Sequence, residues 1–144
     1  MKIIVLLLAL LVPAFAQEKP VEKTELLSSH DTKARFTSLK DRKCMGRTAR
    51  CPDRCGHSGK LASFEIIEYL AYEKPGKYGD PKNKTFQVLI KDNMSNLKVP
   101  AAIAKAILAL KPGDTVHLQW NHNYVTKGGT SSPERPIQKI ELLK

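Results

Sequence analysis

All three cysteines of this chain fall within one short stretch, Cys44-Met45-Gly46-Arg47-Thr48-Ala49-Arg50-Cys51-Pro52-Asp53-Arg54-Cys55-Gly56-His57. Three thiolates and one imidazole make a complete tetrahedral set for zinc. Three thiolates also suit Cu(I), a soft ion that accepts sulfur ligands. A disulfide framework would leave one thiol over, because the count is odd. The spacing C-x6-C-x3-C-x-H matches no common zinc-finger pattern, so ligand type carries the expectation more than spacing does. Cys51 and Cys55 stand at i and i+4 and converge if the loop makes one helical turn, which Pro52 tolerates in its first residues. Cys44 would close the site from the end of a strand. Two histidines compete for the fourth position. His57 is near in sequence, and His122 lies in the inward register of a later strand, beside Trp120 and Tyr124.

The same stretch is cationic. Arg47, Arg50 and Arg54 outweigh Asp53, and arginine suits forked hydrogen bonding to anions better than mere solubility requires. This sets up an alternative reading: a non-enzymatic binding module for an anionic ligand or polymer, with these arginines at its mouth and a disulfide in the loop. The net charge of +10 agrees with an anionic partner. Nucleic acid is disfavoured, since aromatics for base stacking are few. No Ser elbow, HExxH or P-loop occurs, and the expectation is that the protein is not an enzyme. A four-ligand metal site is closed, which suits structure or storage rather than hydrolysis.

The elements that must hold these residues follow from periodicity. Ala34, Phe36 and Ser38 alternate with polar neighbours and predict a first strand. Residues 41–60 read as a long loop. Leu61 to Glu73 predicts a second strand whose apolar parity changes at Ile66-Ile67, the mark of a bulge. Thr85 to Lys91 predicts a third. Ile103, Ala106, Ile107 and Leu110 form the stripe of an amphipathic helix, opened by Pro100 and ended at Lys111-Pro112-Gly113-Asp114. Thr115 to Val125 predicts a fourth strand, with Val116, Leu118, Trp120, His122 and Tyr124 on one face. Residues 127–136 read as a loop, and Ile137 to Leu143 as a fifth strand.

This order, three strands, a helix and two strands, resembles the OB-fold. The resemblance covers residues 33–144 and is one of architecture. It implies a five-stranded Greek-key barrel with a helix between strands three and four, whose ligands bind on one face and its flanking loops. In that fold the loops after strands one and four border the same face, which would bring the cysteine loop and His122 together.

The N-terminus reads as a signal peptide over residues 1–16, so the chain resembles small exported bacterial proteins. Lys2 supplies the positive start, Ile3 to Leu11 is an apolar run too short for a stable bilayer span, and Ala14-Phe15-Ala16 provides small residues for cleavage. Residues 17–32 are expected to be a flexible lead-in. No other apolar stretch is long enough to span a membrane. The expected product is a periplasmic or secreted domain that carries zinc or copper(I). Intact-mass measurement of the exported protein checks this: the expected mass is that of a chain beginning at Gln17, and retention of residues 2–16 would contradict it.

Overall fold

The computed structural model describes residues 22–143. The leader expected over residues 1–16 lies outside them. Six strands and one helix follow in the order β1 (Lys23–Arg42), β2 (Gly59–Glu73), β3 (Thr85–Asp92), α1 (Ala101–Leu108), β4 (Thr115–Lys127), β5 (Thr130–Glu134) and β6 (Ile137–Leu142). They form one antiparallel sheet in the order β3-β2-β1-β4-β5, with β6 also paired to β4. Among the described strands, β3 and β6 are not paired to each other, so the sheet is open and barrel closure is not seen. No described helix is long and apolar enough to cross a membrane.

Two expectations need correcting. The first strand begins at Lys23, so residues 23–32 are not a flexible lead-in but the first half of β1. Their inward face is polar and gives no hydrophobic signal. Ser28, His30 and Thr32 continue the buried alternation that ends with Ala34 and Phe36. Hydrogen bonds offset part of the cost of burying these polar groups, while His30 Nδ1 has no partner among the described residues. The Ser28 hydroxyl meets His30 Nε2 at 2.9 Å, and the Thr32 hydroxyl donates to the Leu118 carbonyl at 2.9 Å. The second correction is strand number, six rather than five. Gly128 and Gly129, both at positive φ (55° and 80°), turn β4 back into β5. A two-residue turn of this sort needs positive φ at both positions, which glycine supplies at no steric cost.

Other features follow the sequence. The bulge expected at Ile66-Ile67 is present: Ala34 pairs with Ile66 and Lys33 with Glu68, leaving Ile67 without a partner. A second irregularity omits Leu70 from the pairing with β1. Tyr69 and Tyr72 therefore both approach the ring of His30, with centroids at 6.0 and 5.1 Å. Pro100 caps α1 without a side-chain hydrogen bond, and Ala104 and Ile107 are its buried residues. Ile103 and Leu110 pack against the same core half-buried. On β4, Val116, Leu118, Trp120 and His122 face inward as expected. Tyr124 does not: it is 43% exposed, and Val125 is buried instead. The parity changes where β1 slips register between Leu26 and Ser28.

Trp120 sits in the middle of the core. Phe86 stacks on one side of it at 4.3 Å and His30 on the other at 4.4 Å. Removing a buried ring leaves a cavity that a tightly paired sheet cannot collapse. Trp120→Ala is expected to cost about 3–5 kcal/mol of unfolding free energy, read by denaturant titration. A loss under about 1 kcal/mol would show that this ring does not hold the core together.

Candidate metal centre

The cysteine loop hangs between the end of β1 and the start of β2. Its base is fixed by the ladder itself, since Arg42 pairs with Gly59 and Asp41 with Lys60. The Lys60 ammonium also meets the Asp41 carboxylate at 2.9 Å. Inside the loop, the Cys51 N–H donates to the Thr48 carbonyl and the Arg54 N–H to the Arg50 carbonyl, at 3.0 and 2.7 Å. The second of these bonds closes a tight turn over residues 50–54, not the helical turn expected from the spacing of Cys51 and Cys55. No regular helix forms.

The fold brings the three cysteines together. Their Sγ atoms all lie within 4.8 Å of one another, and each cysteine is half-buried. Cys44 and Cys51 sulfurs are 3.8 Å apart, well beyond a covalent bond. Cys55 Sγ lies 3.6 Å from the Pro52 carbonyl. Gly46 makes this approach possible. A Cβ at that position would stand 2.8 Å from Cys51 Sγ and 3.3 Å from Cys44 Sγ, so any side chain would push into the cluster. Its N–H instead points at Cys44 Sγ, at 3.4 Å.

The thiols are not equivalent. The Thr48 hydroxyl, 3.1 Å from Cys51 Sγ, is the main cause holding the Cys51 thiol below its ordinary value. At Cys44 the Gly46 N–H favours the thiolate, but the neighbouring Cys55 and Cys51 thiols and partial burial together outweigh it. That thiol stands above its ordinary value. The proton most readily given up therefore belongs to Cys51, and a cation at the centre would draw off the others.

Sequence reasoning missed the clamp that holds the loop. The buried Ser58 hydroxyl accepts the Cys44 N–H at 3.0 Å and donates to the Pro52 carbonyl at 2.7 Å. One side chain thus ties the two limbs of the loop together. The turn after β3 braces the far side. Asn93 donates from its N–H to the Ser58 carbonyl at 2.9 Å and from its side-chain amide to the Asp53 carbonyl at 2.8 Å. That turn is itself fixed by the Asp92 carboxylate, which accepts hydrogen bonds from Asn96 and from the Met94 N–H and pairs with Lys98. These contacts, led by Asn96, hold the Asp92 carboxyl down at about 2. A serine and an asparagine in polar loops carry no signature that announces such a role.

The remaining expected residues do not join the sulfurs. His57 is exposed and outside the cluster. His122 pairs across the sheet with Ser28, near the start of β1, whereas the cysteine loop leaves β1 after Arg42. More than a dozen extended residues, at ~3.3 Å each, separate the two points along the strand. The expectation that His122 and the cysteine loop meet fails because β4 runs antiparallel to β1 beside Lys23–Arg35, which sets His122 against Ser28 and away from Arg42. Its Nδ1 instead accepts the Asp80 N–H at 3.1 Å. Arg47, Arg50 and Arg54 are exposed, and no carboxylate pairs with them among the described residues.

Gly46→Ala isolates the steric requirement. The expected outcome is metal affinity reduced by about tenfold or more in a competition titration, with thermal unfolding nearly unchanged because the loop is exposed. Undiminished affinity would mean that the sulfurs need not approach as closely as they do. No protein-family model, curated protein or solved structure matches the chain.

Proposed function

We propose that this protein is an exported, non-enzymatic module that binds a thiophilic metal ion, zinc or Cu(I), through Cys44, Cys51 and Cys55. The observation that carries the reading is the convergence of all three sulfurs within 4.8 Å. A disulfide requires only two sulfurs and gives no reason for the third to be gathered beside them. Three thiolates gathered this closely repel one another, and a cation at their centre would offset that repulsion as the thiols give up their protons. Cu(I) is satisfied by three sulfurs. Zinc would take a fourth donor, supplied by His57 after a loop movement or by a molecule from solution. The resemblance of the element order to the OB-fold supports this reading, since that architecture carries ligands on the loop after its first strand.

A second reading is favoured by the exposure and lack of acidic partners of Arg47, Arg50 and Arg54 on the same loop. In that case the loop grips an anionic ligand or polymer, and the cysteines serve to staple it. The two readings separate in one experiment on protein from its native compartment. Elemental analysis and thiol counting are expected to find one ion per chain and three thiols that resist alkylation until a chelator is added. Cys44→Ser, Cys51→Ser and Cys55→Ser should each lower metal occupancy. One disulfide, one free thiol and no stoichiometric metal would overturn the metal reading in favour of the anion-binding one.

A further inference from the structure

Of the three sulfurs, two stand as a pair. The Cys44 and Cys51 sulfurs are 3.8 Å apart, while the Cys55 thiol donates towards the Pro52 carbonyl at 3.6 Å. The backbone prepares this pairing. Ser58 holds the Cys44 N–H on one limb and the Pro52 carbonyl on the other, at 3.0 and 2.7 Å. One buried hydroxyl thus keeps the chain at Cys44 beside the chain at Cys51. To form a bond the sulfurs must close from 3.8 Å to about 2.05 Å. Residues 45–50 are exposed, and Gly46 leaves the space beside both sulfurs free of a side chain, so the movement meets no packed neighbour.

The loop also carries charge for which a metal ion has no use. Arg47 and Arg50 lie inside the eight-residue ring that a Cys44–Cys51 bond would close, and Arg54 adjoins Cys55. Each stands within three residues of a cysteine, so its Cα is no more than about 11 Å from that cysteine's. All three side chains are exposed, and none is in an ion pair among the described residues. Asp53 is the one carboxylate between Cys44 and Ser58. Unpaired guanidinium groups draw in anions, and their field reaches about a Debye length, ~8–10 Å. An anion drawn to this loop meets a pair of thiols. A molecule that uses both features is an anion containing a disulfide.

We propose that Cys44 and Cys51 are an exchange pair for an anionic low-molecular-weight disulfide, steered to the loop by Arg47, Arg50 and Arg54. One sulfur of the pair, as thiolate, attacks a sulfur of the incoming disulfide. The incoming S–S bond breaks, a mixed disulfide forms, and the first small thiolate leaves. The other sulfur of the pair, its proton also lost, attacks the protein sulfur of the mixed disulfide, and the second small thiolate leaves. In the metal-free protein the two departing thiolates take up the two protons that the cysteines gave up. Two protein thiols are thereby oxidised to the Cys44–Cys51 bond, the small disulfide is reduced to two thiols, and Cys55 remains a thiol. The reaction is stoichiometric and asks for no catalytic group. Its consequence for the metal rests on the function proposed above: oxidation removes two of the three thiolate ligands, and the ion is released.

The test compares oxidised glutathione, a net anion, with cystamine, a cation, on reduced protein with and without bound zinc. Thiol loss is followed by alkylation and mass, the bridge is located by digestion, and free zinc is read with a chromogenic chelator. Oxidised glutathione is expected to react about tenfold faster than cystamine at low salt, and to lose that advantage in about 1 M salt. The bridge is expected to join Cys44 to Cys51, with Cys55 open to alkylation and one zinc released per bridge formed. In the triple variant Arg47→Gln/Arg50→Gln/Arg54→Gln, which alters exposed side chains only, the ratio of the two rates is expected to fall to about one. The ratio separates steering from any change in thiol acidity that slows both reagents together. Equal rates for the two reagents in the unaltered protein, an unchanged ratio in the triple variant, a bridge that includes Cys55, or zinc retained after bridging would each overturn the proposal. Protein that holds zinc but does not exchange overturns this inference alone. Protein that exchanges as described without ever holding a metal upholds the exchange pair and overturns the metal reading instead.

Discussion

Because β1 is paired along both of its edges, with β2 over one span and β4 over the other, its 20 residues set the position of everything else in the molecule. A strand that long has a beginning and an end far apart. The cysteine loop emerges from one end, and the polar cluster of His122 and Asp80 lies at the other. Each end is held by a ladder on one side, and the middle, residues 29–35, by ladders on both. Side chains at each end can therefore be fixed by short-range contacts, since the backbone that carries them is already held.

Through the core beneath this strand, among aliphatic side chains such as Ile90, Ile107 and Leu118, runs a line of rings. Phe36 leads to Phe64, Phe86, Trp120 and His30, each ring in contact with the next. Aromatic contacts of this kind add specific geometry to the area they bury. Towards the start of β1 the line changes character. Apolar rings give way to His30, Tyr72, Tyr69 and His122; both tyrosine hydroxyls are hydrogen-bonded, whereas His30 Nδ1 and His122 Nε2 are buried with no partner among the described residues. The Tyr72 hydroxyl donates to the Asp80 carbonyl and the Asp80 N–H to His122, so the loop before β3 is bound into the interior by polar contacts. The interior thus passes from apolar to polar towards the start of β1.

The two ends of β1 are held in different ways. In the cysteine loop, the means are small: a glycine that leaves room for sulfur, a serine bridging two limbs, and an asparagine from a neighbouring turn. At the other end, they are large: tyrosine rings, the forked ion pair of Asp80 with Arg135, and Gly76 and Gly79, which admit a close backbone approach to Leu27. The first arrangement suits a compact ion with strong bonds. The second fastens the segment before β3 onto the sheet.

The sequence by itself determined the helix, the β2 bulge, the inward face of β4 as far as His122, and which sulfurs share one loop. Each of these is a local property: a 3.6-residue stripe, a change of parity at Ile66-Ile67, a clean alternation, three cysteines within one loop. It did not determine the first half of β1, because Ser28, His30 and Thr32 look exposed until their hydrogen-bond partners are known. The β5 hairpin was marked by Gly128-Gly129, but its strand is polar and fully exposed, so periodicity gave no support. The fourth metal ligand failed for a different reason. Whether His122 could reach the cysteines depended on which half of β1 pairs with β4, and pairing register is a relation between distant segments. Only the tertiary structure decided it, and the register that set His122 against Ser28 placed its ring beside Asp80, far from the sulfurs.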